Sequence, residues 1–276
     1  MEAEKYERYI YELLPETYKK LAGKDPKAYS GAWELWQEGL EKGLMKAQFH
    51  GREHLNLKVF EEKIRTKDFE VLTALKNRSY TSISSSGYST IGYTAAFEFW
   101  DFNENDRFPK IIEEGLKAFK KVFGYASTHF NPPGGREHPV IHKALKANGI
   151  KYSDTPFLKQ EHRGRGKYNR ILNYTGKQSK EGLIYQVRNV VFEPANNPKE
   201  NSVDLALKQI ETAFRWHRPA IISSHRINFC GHIDPLNRRS GLHALSDLLQ
   251  GIIKKWPEVE FMAADELGDL ISKSKI

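Results

Sequence analysis

Strand-like and helical segments alternate along most of this 276-residue chain, and that alternation restricts its possible folds more than any other feature. Clusters of β-branched and aromatic residues bounded by turn residues predict strands near 46–50, 80–84, 126–130 and 150–154. Three more are expected near 184–192, 220–228 and 259–263. Apolar residues at helical spacing fall between most of them, over 57–76, 109–122, 139–148, 203–216 and 241–255. Two further helical stretches, 6–20 and 32–42, precede the first strand. Such alternation predicts an α/β fold with a largely parallel sheet, open or closed into a barrel. Functional side chains then belong at the carboxyl ends of the strands.

A hydrophobic content of 39% can fill a core and argues against global disorder. No low-complexity linker divides the chain, and the Pro and Gly clusters at 131–135 and 194–198 read as loops, so residues 1–276 are taken as one domain. The net charge of +8 favours anionic partners. It is spread without a long basic block, so nucleic acid is not expected as a partner. Cys230 is the sole cysteine, which excludes an internal disulfide and a cysteine-rich zinc site, leaving His and carboxylates as metal ligands. The charged first ten residues do not form a signal peptide, and no run of 18 apolar residues follows. No membrane partner is expected, and the sequence taken at face value predicts a cytoplasmic protein.

Phe49-His50-Gly51-Arg52-Glu53-His54 follows the first expected strand. Two His four apart can present imidazoles to one metal, although a pair at this spacing also serves as ordinary surface or hydrogen-bonding residues. His138 and His142 repeat the spacing across Pro139. There a helix start is the plainer reading, with His138 as a cap and His142 on the helix surface or in the core. The tetrapeptide Gly-Arg-Glu-His occurs at both 51–54 and 135–138, too short a match to establish a repeat. Asn131-Pro132-Pro133-Gly134-Gly135-Arg136 ends a strand in a rigid turn whose backbone N–H groups could hold an oxyanion, or which needs Pro and Gly for its dihedral angles alone. His225 closes the buried run 221–224, where a His can act as a general acid. Residues 161–167 read as a solvated loop.

These segments together resemble the polysaccharide deacetylase superfamily, the NodB-like carbohydrate esterases, from His50 to the C-terminus. His50-Gly51-Arg52-Glu53-His54 stands at that family's His-x-x-x-His position, Asn131-Pro132-Pro133 at its Arg-Pro-Pro, and Ser224-His225 at its late catalytic His. The resemblance implies a distorted (β/α)7 barrel of mostly parallel strands and a Zn2+ or other divalent ion held by His50 and His54. It implies an acetylated carbohydrate substrate, with Asn131, Pro133, Gly134 and Arg136 around the substrate and oxyanion, and with His225 protonating the leaving group. The family's adjacent Asp pair, a metal ligand and a base, has no counterpart, since the sequence contains no Asp-Asp dipeptide. Asp25, the one Asp before His50, lies in a turn. The resemblance therefore implies a barrel that is incomplete at its N-terminal strands, with weak metal binding and little activity in this form. Arg136 could stand in for the guanidinium that Asn131 replaces. Two other readings are a non-catalytic, glycan-binding remnant of the barrel, and a zinc peptidase built on His50-x-x-Glu53-His54, which requires a helix through the motif.

Overall fold

The computed structural model describes residues 12–77, 91–196 and 201–274, so the strand expected at 80–84 lies outside the described residues. The chain forms two compact units, Met1–Gln186 with Ala263–Ile276, and Val187–Met262.

The first unit opens with helices α1 (Leu14–Lys24), α2 (Pro26–Tyr29) and α3 (Ala32–Glu41). The helix expected over 57–76 is two, α4 (Leu57–Arg65) and α5 (Phe69–Lys76). Asp68 breaks it by capping α5 through the Val71 N–H at 3.1 Å, with Lys67 before it in the left-handed region. Asn56 caps α4 in the same way. Helix α6 (Phe108–Phe123) carries Phe108, Ile111, Ile112 and Phe119 inward at helical spacing and stops at Gly124, whose φ of 79° suits a C-terminal cap. Each such side chain contributes roughly 1.5–3 kcal/mol on burial.

Strands β1 (His129–Phe130), β2 (Tyr152–Asp154) and β5 (Ile184–Gln186) form a parallel sheet in the order β1-β2-β5, and α7 (His142–Ala147) lies between the first two in sequence. Of the strand expected at 46–50, Phe49 alone pairs, as a parallel bridge to Phe130. Helix α10 (Ala264–Lys273) returns to this sheet, where Gln186 Nε2 donates to Ala264 O at 2.7 Å. An antiparallel hairpin of β3 (Leu158–His162) and β4 (Tyr168–Leu172) stands apart. Sequence reasoning missed it because its strands are mostly polar. The glycines at 164 and 166, both at positive φ, were the usable turn signal.

The second unit is built on the parallel pair β6 (Val190–Val191) and β7 (Ile222–Ser223), covered by α8 (Ser202–Arg215) and α9 (Pro235–Lys255). Val190, Phe192, Ile210, Leu248 and Ile252 form its core. The long strand expected at 184–192 is therefore interrupted, since Val187 begins a new unit. Residues 259–263 form no strand. The fold is α/β with mostly parallel strands. Among the described residues, no helix is long and apolar enough to cross a membrane.

Gly241 on α9 has no room for a side chain, because a Cβ would land on the Asn228 carbonyl. We expect Gly241→Ala to destabilise the protein by about 3 kcal/mol, the upper part of the overpacking range, seen as a lower urea midpoint. Gly23→Ala, on open helix surface, should be neutral or stabilise by about 0.5–1 kcal/mol.

Candidate functional site

The sheet edge of the first unit brings two distant segments together. Asn131 N–H donates to Phe49 O at 2.9 Å, so the residues that follow each strand position, His50 and Asn131, leave the same end of the sheet. His50 Nδ1 lies 2.6 Å from Asn131 O. A carbonyl can only accept, so Nδ1 carries a proton. The His54 ring meets the His50 ring edge-on with centroids 4.9 Å apart. Among the described residues, buried His54 Nδ1 has no hydrogen-bond partner.

Two glycines permit this arrangement. Gly51 has φ +93°, and a Cβ there would sit 3.0 Å from Glu53 O and 3.2 Å from Pro133 Cγ. On the other side, a Cβ on Gly115 of α6 would fall 2.9 Å from Arg52 Cβ and from Phe49 Cε2. The 50–54 loop is thus held between helix α6 and the Pro132-Pro133 turn. It is not helical, as α4 starts only at Leu57. Glu53 is engaged by Arg52, with Nε 2.6 Å and Nη2 3.0 Å from its two oxygens. A peptidase of the His-x-x-Glu-His type needs the motif on a helix and a free Glu, so this geometry removes that reading.

In the 131–136 loop, Gly134 and Gly135 both adopt positive φ, as the dihedral-angle reading required. The Gly135 and Arg136 N–H groups are used inside the turn, on Pro132 O at 2.8 Å and Pro133 O at 3.5 Å. Half-exposed Arg136 donates to buried Glu98 Oε1 at 2.7 Å. Burial alone would lower the Arg136 pKa, but the Glu98 carboxylate outweighs it and raises it. Asn56 Nδ2 fixes this neighbourhood by donating to Ala95 O and Glu98 O at 2.9 and 2.8 Å.

The second Gly-Arg-Glu-His copy does different work. His138 Nδ1 accepts from Val140 N–H at 3.1 Å, a helix cap, and burial lowers its pKa. Fully buried His142 bonds Glu137 through Nε2 at 2.9 Å, and Lys159 of β3 pairs with the other Glu137 oxygen. Burial pushes the Glu137 pKa up, while Lys159 and His142 together pull it well below the usual carboxylate range. This cluster ties the end of the 131–136 loop to α7 and the hairpin. Sequence reasoning also missed Asp154, which ends β2 and lies 3.2 Å from buried His129 Nε2. An acid closing a strand is the signal that could have found it.

In the second unit, His225 follows β7, is largely exposed, and has Nδ1 2.5 Å from Glu193 Oε1. Glu193, two residues beyond β6, was not anticipated. A carboxylate on Nδ1 sets the ring with Nε2 outward, as in proton-transfer dyads. Asn228 secures Glu193 by donating to Oε2 at 2.7 Å and accepting from Ala195 N–H at 3.0 Å.

Among the described residues there is no group of three or more His, Cys, Asp or Glu able to hold a metal ion. His50 and His54 supply two imidazoles where a catalytic zinc site uses three protein ligands, so the donor set does not fit a complete centre.

No protein-family model matches the chain, and no curated protein matches it. Among solved structures, a protein provisionally assigned as a polysaccharide deacetylase from Mycobacterium smegmatis aligns over 95% of this chain and 87% of its own, at 13% identity and TM-score 0.44. The α-amylase AmyC from Thermotoga maritima aligns over 75% of this chain and 54% of its own, at 14% identity and TM-score 0.38.

Glu137→Gln should destabilise the protein at pH 7 by about 3–5 kcal/mol, the range for removing one partner from a buried ion pair. Because the folded pKa of Glu137 lies below its unfolded value of about 4.3, its contribution is complete above that pH and is lost as pH falls further. Urea unfolding between about pH 6 and pH 3 should therefore show a steeper loss in the parent protein than in Glu137→Gln. Parallel slopes would show that Glu137 is not held ionised.

Proposed function

We propose that this chain is a polysaccharide-deacetylase-like hydrolase of acetylated sugars, built on a distorted (β/α)7 barrel. The convergence of His50 and His54 beside the Asn131-Pro132-Pro133 turn carries the reading. In it, two segments that resemble that family's motifs come together through one backbone bond and one glycine contact.

Removing an acetyl group requires attack of water on the acetamide or ester carbonyl, stabilisation of the resulting oxyanion, and protonation of the departing nitrogen or oxygen. His225 is the proton donor in this reading, its ring oriented by Glu193. The Gly134 N–H is the candidate oxyanion donor, Asn131 and Pro133 shape the substrate side, and Arg136 is positioned by Glu98. A divalent ion such as Zn2+ would polarise the carbonyl and activate water when bound. Two imidazoles hold it weakly, and Glu53, paired to Arg52, is not available as a base. The expected activity of this chain is accordingly low. A glycan-binding protein without turnover is the competing reading, and product formation separates the two.

Zinc binding measured by competition with a chromogenic chelator should weaken about tenfold or more in His54→Ala, since one of two ligands is lost. Equal affinity in both proteins would overturn the metal assignment. Acetate release from N-acetylated oligosaccharides should be slow but detectable, and should fall about 100- to 10,000-fold in His225→Ala, the usual contribution of general acid catalysis. Saturable oligosaccharide binding without any acetate would favour the binding protein instead.

A further inference from the structure

A concave site lies in the second unit, at the end of the parallel strand pair opposite to His225. It is a hollow of about 540 Å³ lined by Asn189, Lys208, Gln209, Thr212, Trp216 and Arg218 among others. Asn189 precedes β6 and Arg218 precedes β7, whereas Glu193 and His225 follow those strands. Because the pair is parallel, the two sets of residues sit at opposite ends of it. A hollow of this volume is within the range of small-ligand sites.

Its construction is specific. Helix α8 ends with Arg218 N–H donating to Ala213 O and His217 N–H to Phe214 O, both at 2.9 Å. This reversal holds His217 at φ +51°, a conformation that disfavours a residue with a Cβ. The strained turn places Trp216 and Arg218 on either side of it, both lining the hollow. Trp216 is 71% exposed, an unusual surface cost for the largest apolar side chain. Lys208 and Arg218 make no ion pair among the described residues.

The polar inventory selects the ligand. Both ends of the Asn189 amide are spent, Nδ2 on Pro219 O at 2.9 Å and Oδ1 on Ile221 N–H at 2.7 Å. Gln209 Oε1 accepts from Val191 N–H at 2.7 Å, leaving its Nε2 as a donor. Thr212 donates to Lys208 O at 2.9 Å, leaving its oxygen as an acceptor. What the hollow offers is therefore one flat apolar wall, two cations, one amide donor and one hydroxyl acceptor. A neutral sugar with many hydroxyls would find too few acceptors. A ring with an apolar face and a carboxylate matches the set.

We propose that this hollow binds an acidic sugar residue, a uronate of an anionic glycan, with its C–H face on Trp216 and its carboxylate on Arg218 and Lys208. The site is separate from the acetyl-hydrolysing reading above and does not depend on turnover. The test is isothermal titration of the full chain with trigalacturonate, neutral maltotriose and ATP, repeated with Trp216→Ala and Arg218→Gln, whose exposed positions should leave circular dichroism unchanged. Trigalacturonate should bind one to one, maltotriose at least tenfold more weakly, and each variant should lose about tenfold or more, as expected for one lost charge-assisted contact or stacking face. Trigalacturonate binding that is unaffected by both substitutions would overturn the site. ATP binding tighter than trigalacturonate would reassign it to nucleotides, and absence of binding by any of the three would overturn the proposal entirely.

Discussion

The bond from Asn131 N–H to Phe49 O is the interaction on which the first unit's candidate site depends. Residues 49 and 131 are far apart in sequence, and a parallel register alone brings the loops after them to the same edge. Once that register is set, His50 can donate to Asn131 O, and Gly51, at φ +93°, can lie against the Pro133 ring where a Cβ would be crowded. Gly115 does the same from beneath, letting α6 press on Phe49 and Arg52. Backbone geometry and two absent Cβ atoms thus decide where both imidazoles sit.

Buried charge completes this arrangement. Glu98 and Glu137 are both almost fully buried and each is paired, Glu98 with Arg136 and Glu137 with His142 and Lys159. Desolvating a carboxylate is costly, and such pairs offset the cost only when hydrogen bonding is nearly complete. Here it also gives the 131–137 segment two fixed points, one on the 92–98 loop and one on α7 and β3. The two Gly-Arg-Glu-His tetrapeptides illustrate how context assigns roles. In the first, Arg and Glu pair with each other and the His ring meets that of His50 edge-on. In the second, the Arg reaches Glu98, the Glu is buried between His142 and Lys159, and the His caps a helical turn.

Asn228 plays the organising part in the second unit. It holds Glu193 and the Ala195 backbone at once, and its own carbonyl fills the space left by Gly241. Through Glu193 it sets the orientation of His225. None of these partners is suggested by the residues next to His225 in sequence, since Glu193 is 32 positions away.

Local patterning in the sequence determined most helices, the parallel character of the sheet, and the placement of His50, Asn131 and His225 just beyond strand positions, because periodicity and turn residues act over a few neighbours. It also pointed to His138 as a cap through Pro139, while leaving open whether His142 lies on the surface or in the core. Tertiary structure decided the rest. It divided 184–192 between two units and paired the polar hairpin β3–β4. It also selected Glu193, Glu98, Lys159 and Asp154 as partners. These choices depend on which charges and carbonyls become close once the strands take their register, and a desolvated ion pair is fixed by that distance and by no local propensity.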